Sequence, residues 1–186
     1  MTGSSILPVA IYKNKLYFLF GKENELEKSA KGFSDFGGGI ERGETPLETA
    51  CREGAEELTG FLGPIQLPKN PLVLGDPNKY IIHIMPLEYD ANLPKYYNNN
   101  HLFLWNRMDK HLLSRTKLFE KIEIEWFELS QIAPRIKEFR PFYQDVLKTH
   151  VLPAAAQIRR AVATTHTIIA PRRTRRYRSR SRASTR

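Results

Sequence analysis

The residues best suited to chemistry lie within positions 37–61, which read GGGIERGETPLETACREGAEELTGF. The charged members of interest are Glu44, Arg52, Glu53, Glu56 and Glu57. In a helix with about 100° per residue, Glu53, Glu56 and Glu57 fall within one stripe about 100° wide. Carboxylates held this close repel one another, and a cluster of oxygen donors alone favours a hard cation such as Mg²⁺ or Mn²⁺. The spacing therefore predicts a carboxylate site for a divalent metal.

The neighbouring residues indicate how a helix would hold these carboxylates. The segment TPLE at 45–48 offers a Thr cap, Pro at the first helical position and Glu three residues after the cap. The residues on the side opposite the acidic stripe are Leu47, Cys51, Gly54 and Leu58. We expect this side to pack on a sheet, with Gly54 allowing a close approach. The glycines before the helix permit positive φ and close contact of the backbone with a ligand.

This pattern resembles the Nudix box, in which Gly, five residues, Glu, seven residues, Arg-Glu, two residues and Glu-Glu follow one another before a Gly-apolar close. The residues that match in register are Gly38, Glu44, Arg52, Glu53, Glu56 and Glu57. Gly54 stands at a position that is usually apolar, one extra residue precedes Gly60, and Phe36 replaces a frequent Pro. These departures concern the packing and the end of the helix, and the acidic positions are complete.

The resemblance implies a fold and a role for each matching residue. The fold would be a Nudix-type α/β/α sandwich with a mixed β-sheet and a loop-helix-loop catalytic motif, formed by residues 1–152. The metal ligands implied are the carbonyl of Gly37 and the carboxylates of Glu53, Glu56 and Glu57. Glu53 is alternatively the general base, acting through water. Arg52 would orient a glutamate, Gly38 would support the loop, and Glu44 would support either the loop or a peripheral metal.

One further glutamate belongs to this set of expectations. Some members of the family place an additional metal-binding or base glutamate on the loop before the last strand. Glu120 lies six residues before Trp126 and is the best positional match, with Glu123 second. An ordinary surface carboxylate is the alternative for Glu120. The predicted catalytic residues are thus Arg52, Glu53 and Glu120.

The resemblance also implies an enzyme that hydrolyses phosphorus anhydride bonds, with water attacking phosphorus in a nucleoside diphosphate linked to another group. A pyrophosphate is anionic, so an acidic cluster needs bridging cations such as Mg²⁺ or Mn²⁺ to bind it. The substrate class implied is a nucleotide, a dinucleotide or a nucleotide sugar. Hydrolysis of an mRNA cap is the alternative. A nucleic-acid-binding protein with a non-catalytic Nudix-like body is a third hypothesis from another class.

The C-terminal segment has a different composition from the rest of the chain. Residues 151–186 contain ten Arg and no Asp, Glu or Lys, whereas the residues before them contain 19 basic and 20 acidic side chains. The net charge of +9 therefore belongs to this end of the chain. Arg pairs with phosphate, so RNA or DNA is the partner we expect. We predict a disordered Arg/Ser-rich tail over 153–186; a nuclear signal and a solubilising end are the alternatives.

Apolar patterning predicts the other elements. Strands are expected over 6–12, 16–20, 32–39, 72–74, 80–87 and 122–129, and a helix over 135–155. A further helix is expected within 93–113. Its residues Tyr97, His101 and Trp105 would either stack on a base or pack in the core.

Composition excludes several classes of protein. The single Cys excludes an intramolecular disulfide and suits a reducing compartment. No stretch approaches the roughly 18 apolar residues of a membrane span, and the start lacks the pattern of a signal peptide. We therefore expect an intracellular protein, in the cytoplasm or nucleus, that does not bind membranes. A eukaryotic cell or a large virus infecting one is a plausible source for this combination of body and tail.

Overall fold

A mixed β-sheet between two helical layers forms the body of the protein. The computed structural model describes residues 3–26, 31–116 and 119–169. The strands are β1 (Gly3–Tyr12), β2 (Lys15–Glu23), β3 (Phe33–Ser34), β4 (Phe36–Gly39), β5 (Val73–Asp76), β6 (Tyr80–Pro86) and β7 (Lys121–Glu128). The α-helices are α1 (Pro46–Glu57), α2 (Leu93–Trp105), α3 (Lys110–Thr116), α4 (Leu129–Ile132), α5 (Pro141–Val146) and α6 (Ala155–Ile169). The predicted strands are confirmed in place, with Asp35 interrupting the one that leads into the glycine turn.

Strand β1 lies at the centre of the sheet. It pairs with β2 in the antiparallel direction and with β6 in the parallel direction, so the sheet is mixed. The order is β3-β2-β1-β6-β5, with β7 added to β2 and β4 added to β1. The hairpin between β1 and β2 turns through Lys13 and Asn14, both with positive φ, as a two-residue turn of type I′ requires. The pairing of β1 with β4 sets Ser5 opposite Gly37.

Each face of β1 contacts a different hydrophobic core. Leu7 and Val9 belong to the core that includes α5 and α6, whereas Ile6 and Ala10 belong to the core that includes α1 and α2. Alternate residues of a strand point to opposite faces, so both faces of the sheet are covered by helices. The α/β/α sandwich implied by the resemblance is confirmed.

The C-terminal end of the body differs from the prediction. Instead of one helix over 135–155, the chain forms a 3₁₀ turn at Ile136–Glu138, then α5, a π turn at Leu147–Val151 and α6. Pro141 explains the break, because proline starts a helix well but cannot continue one. Ile158 and Val162 of α6 are fully buried in the core. Residues of α6 up to Val162 therefore pack with the body, beyond the boundary predicted at 152.

The predicted disorder of residues 153–186 is wrong for Ala155–Ile169, which form α6, and the rest of the predicted tail, residues 170–186, lies outside the described residues. In the part of the chain that the structure describes, none of the helices combines the length and the apolar character needed to cross a membrane.

The helix α2 covers the end of α1. Tyr97, His101 and Trp105 are buried, so the core-packing alternative holds for all three. The Tyr97 hydroxyl donates to the carbonyl of Lys121 at 2.8 Å and lies 3.2 Å from the carbonyl oxygen of Glu57. His101 Nε2 lies 2.9 Å from Thr59 Oγ1. These contacts attach α2 to the end of α1 and to the start of β7.

Candidate active site

The start of α1 is set by a capping box, as predicted. The hydroxyl of Thr45 accepts the backbone N–H of Glu48 at 3.3 Å, and the Glu48 carboxylate accepts the N–H of Thr45 at 2.8 Å. Pro46 follows as the first helical residue. A cap of this kind contributes about 1 kcal/mol to helix stability, and it fixes the register in which the later glutamates project.

The buried face of α1 is rotated from the predicted one. It is centred on Ala50, Gly54 and Glu57, which are spaced i, i+4 and i+7. A Cβ atom on Gly54 would lie 2.5 Å from Cδ1 of Ile6, so the glycine does allow close packing on β1, as expected. Leu47 is 41% exposed, so its predicted packing on the sheet is wrong. The rotation carries Glu57 from the expected open stripe into the protein.

Arg52 joins three of the predicted site residues. Its Nε and Nη2 donate to the two carboxylate oxygens of Glu44 at 2.7 and 3.0 Å. Its Nη1 donates to Glu53 at 2.9 Å and to Glu56 at 3.2 Å. The guanidinium holds the pKa of Glu44 down, to about 2, chiefly through these hydrogen bonds. A planar cation with several donors thus holds three neighbouring carboxylates in fixed positions.

Glu57 is anchored to the glycine turn and is shielded from solvent. Its side chain is 5% exposed, and its Oε2 accepts the backbone N–H of Gly37 at 2.8 Å. Its Oε1 lies 3.3 Å from Nζ of Lys121. Burial raises the pKa of Glu57 to about 8, while the charge of Lys121 opposes this rise. A cation beside Glu57 favours the ionised form of this carboxylate, against the effect of burial.

The other two box carboxylates are more open. The Glu53 side chain is 16% exposed and the Glu56 side chain 61%. The carboxylate of Glu53 lies against Gly38, where an added Cβ would come within 2.4 Å of Cδ and Oε1 of Glu53. Gly38 therefore leaves the space that the Glu53 carboxylate occupies. Side-chain exposure thus falls from Glu56 through Glu53 to Glu57, so the three glutamates do not form a uniformly solvated face.

Glu120 is the predicted site residue from the loop before β7. It follows Phe119, whose φ is +60°, and its backbone carbonyl accepts the N–H of Asn24 at 2.9 Å. Its charge contributes to the raised pKa of Glu57, so the two carboxylates are close enough to interact. Glu123, the second choice from sequence, instead pairs with Lys22 at 3.2 Å on the surface. Glu120 therefore stays the candidate from this loop, whereas Glu123 is paired on the surface.

Sequence reasoning missed the buried polar groups beneath the box. Asp35 accepts hydrogen bonds from Ser5 Oγ at 2.5 Å and from the Tyr80 hydroxyl at 2.8 Å, and burial raises its pKa to about 6. Lys121 is buried as well, between Glu57 and Glu23. These groups come from segments distant in sequence, so no local spacing could have revealed them.

The donor set fits a hard divalent cation in its chemistry. Carboxylate and carbonyl oxygens are what Mg²⁺ and Mn²⁺ prefer. Over residues 3–26, 31–116 and 119–169, no group of three His, Cys, Asp or Glu side chains is arranged to hold a metal ion. In this arrangement Arg52 and Lys121 are the cationic partners of Glu53, Glu56 and Glu57. The assignment of these residues as metal ligands stays a prediction.

The structure is similar to several solved structures of proteins described as Nudix proteins. A mutT/nudix family protein from Listeria innocua is 16% identical, with 91% of this chain and 97% of that chain covered and a TM-score of 0.48. The Nudix hydrolase RenU from M. smegmatis is 15% identical, with 90% and 87% covered and a TM-score of 0.45. The Nudix domain of Shewanella oneidensis NrtR, solved with ADP ribose, is 13% identical, with 84% and 86% covered and a TM-score of 0.46. No protein-family model matches the sequence, and no curated protein matches it significantly.

Proposed function

We propose that this chain is a Nudix-type pyrophosphohydrolase. It uses Mg²⁺ or Mn²⁺ to cleave a nucleoside diphosphate linked to another group, such as a nucleotide, a dinucleotide or a nucleotide sugar. The observation that carries the proposal is the arrangement on α1, where Arg52 binds Glu44, Glu53 and Glu56 while Glu57 is anchored on the N–H of Gly37. An acidic set held in this way beside a glycine turn suits an anionic substrate only when a cation joins the two.

The predicted ligands of that cation are Glu53, Glu56, Glu57 and the carbonyl of Gly37. A bound divalent ion would neutralise phosphate charge and lower the pKa of a water molecule. The chain's own contribution is to position these groups. Arg52 holds Glu53 and Glu56 in place, and the N–H of Gly37 fixes one oxygen of Glu57. These contacts limit the freedom of the carboxylates before substrate arrives, which reduces the reorganisation that the reaction needs.

Glu53 and Glu120 are the two candidates for the base that accepts the proton of the attacking water. Glu53 lies on α1 beside Gly38 and is hydrogen-bonded to Arg52. Glu120 comes from the loop before β7 and therefore approaches from another element. An in-line attack needs the base on the side of phosphorus opposite the leaving group, and a separate loop can supply that position.

A substrate panel tests the proposed reaction. The full chain is incubated with nucleoside triphosphates, dinucleotides, nucleotide sugars and capped RNA, each with Mg²⁺, with Mn²⁺ or with EDTA. We expect at least one substrate to release a nucleoside monophosphate or diphosphate only when metal is present, and ¹⁸O from labelled water to appear on a phosphate of the products. Turnover that persists in EDTA would contradict the metal requirement. Absence of products from the whole panel would contradict the hydrolase proposal.

Capped RNA is the second candidate substrate, and the Arg-rich tail favours it. Residues 172–186 contain eight Arg and no acidic residue. Such a segment neutralises phosphates and binds RNA with a steep dependence on salt. In this case the tail would hold the transcript while the box cleaves the cap pyrophosphate. RNA binding without turnover of any substrate would favour the non-catalytic alternative.

Truncation after Ile169 is the matching prediction, because it removes the tail and keeps the buried residues of α6. We expect hydrolysis of small nucleotides to stay unchanged, while affinity for capped RNA falls at least about tenfold at low salt and loses most of its salt dependence. The measurement is RNA binding and cap release at several salt concentrations. A full-length chain with the eight tail Arg replaced by Gln is the control and should behave like the truncation. If neither variant alters RNA binding, the tail serves localisation or packaging instead.

A further inference from the structure

Lys121 is a fully buried cation in contact with a box glutamate. Its side chain is 1% exposed, and its Nζ lies 3.3 Å from Oε1 of Glu57. The same ammonium donates to Oε1 of Glu23 at 2.5 Å and to Oγ of Ser34 at 2.9 Å. The ammonium thus makes two hydrogen bonds and, in addition, an ion pair with Glu57. Lysine is seldom buried unless it is paired in this way.

The backbone around Lys121 leaves room for its side chain. A Cβ atom on Gly21 would lie 2.8 Å from Cγ and 2.9 Å from Cδ of Lys121, so the stem occupies the space above a glycine. The pairing of β2 with β7 shifts register between Lys22 and Glu23, and the shift sets Glu23 opposite Lys121. The hydroxyl of Tyr97 holds the Lys121 carbonyl at 2.8 Å. Packing on Gly21, pairing with β2 and the hydrogen bond from Tyr97 together fix the position of the Lys121 ammonium.

Two cations contact the carboxylates around Glu57. Oε1 of Glu23 accepts from both Lys121 and Arg140, at 2.5 and 2.6 Å. Lys121 also contacts Glu57, while Asp35 and Glu120 add negative charge nearby. An ion that approaches Glu57 encounters a carboxylate whose charge is already offset by Lys121. Glu23, whose oxygen is the nearer of the two, draws the ammonium away from Glu57.

We infer that Lys121 is the resident counter-ion of Glu57 and competes with the divalent metal for this carboxylate, so that it limits the metal affinity of the box. Lys121 is in this sense a positioning residue, and Glu23 moderates its effect. The inference rests on the proposed function, because it takes Glu57 as a metal ligand. It gives the buried pair of Lys121 and Glu57 a role in metal affinity, although Lys121 lies outside the box.

Opposite changes in Mn²⁺ affinity are the expected result for two variants of this ion pair. Lys121→Gln removes the competing charge, and we expect Mn²⁺ to bind about tenfold more tightly, as for the loss of one charge within a few ångströms. Glu23→Gln leaves Lys121 with Glu57 as its remaining carboxylate partner, and we expect weaker binding. Free Mn²⁺ is counted by electron paramagnetic resonance with the full chain, and circular dichroism establishes that each variant is folded.

The controls separate this inference from the proposed function. A purely structural role for Lys121 would weaken Mn²⁺ binding in both variants, which would overturn the inference. If Lys121→Gln does not fold, the double variant Lys121→Gln with Glu23→Gln replaces it, because it removes one charge of each sign. We expect the double variant to bind Mn²⁺ more tightly than Glu23→Gln alone. Equal or weaker binding would overturn the inference. Wild-type binding that persists in Glu57→Gln would contradict the metal assignment itself. Binding lost in Glu57→Gln but not tightened by Lys121→Gln contradicts the inference alone.

Discussion

Replacing Glu57 with Gln is expected to lower metal-dependent hydrolysis by about 100-fold or more, beyond the loss that is typical for an outer-shell partner of a metal. The amide has nearly the same shape and can still accept the N–H of Gly37, which the carboxylate accepts at 2.8 Å. It lacks the negative charge that a divalent cation requires. The loss should therefore come from chemistry rather than from unfolding. Initial rates measured over a range of Mg²⁺ concentrations, on a substrate found in the panel, provide the test.

An exposed glutamate outside the box provides a control for the same chemical change. Glu88→Gln makes the same chemical change at an exposed position before α2, so its rate should equal that of the wild type. Glu56→Gln should resemble Glu57→Gln in activity, although its side chain is far more exposed. Unchanged turnover in both Glu56→Gln and Glu57→Gln would refute the assignment of these residues as metal ligands.

Replacing Gly37 with Ala is expected to cost about 3 kcal/mol of folding free energy, at the upper end of the range for overpacking. An added Cβ would lie 2.3 Å from Cβ of Ser5 and 2.5 Å from the carbonyl oxygen of Ser4. Both atoms belong to β1, which pairs with β4 at this point. The strands must separate to admit the methyl group, and the N–H that holds Glu57 must move with them. Urea denaturation followed by circular dichroism measures the loss.

Gly60→Ala distinguishes this clash from a general effect of replacing glycine. Nothing lies within 4 Å of an added Cβ at Gly60, but its φ is +68°. The substitution should therefore cost only the 1–2 kcal/mol, roughly, of placing an L-residue in the left-handed region. If Gly37→Ala destabilises the protein no more than Gly60→Ala does, close contact with β1 is not what requires glycine at position 37.

Local features of the site could be predicted because their causes lie within a few residues. The capping box depends on Thr45 and Glu48, and the contact between Arg52 and Glu56 follows from the i, i+4 spacing of a helix. The close approach at Gly54 was also expected, since a glycine inside a helix lacks the side chain that would hold another element away. These features follow from the order of residues once the helix is assumed.

The face of α1 that packs on the sheet could not be predicted in the same way. Leu47 and Glu57 were expected on the buried and the open side, and the structure reverses both. Hydrophobicity favours burial of Leu47, but this residue lies in the first turn of α1, whereas the close contact with Ile6 is made further along the helix, at Gly54. A rotation of the helix then buries Glu57, which is acceptable because Gly37 and Lys121 provide partners for its two oxygens.

The extent of the folded body depends on tertiary contacts in a related way. The composition of the Arg-rich segment by itself predicts disorder after residue 152. Ile158 and Val162 are spaced i, i+4 and offered a helical signal ahead of that segment. Their burial depends on the contact of α6 with β1 and β6, which only the assembled fold defines.

By itself the sequence determined the acidic series from Glu44 to Glu57, the helix that carries it and the type of cation it suits. Tertiary structure decided how open each carboxylate is and which charges surround it. Lys121 and Glu23 are separated by 98 residues, and only the pairing of β2 with β7 brings them together beside Glu57. Helical spacing acts along a few turns, whereas burial and ion pairing depend on segments that meet only in the folded chain.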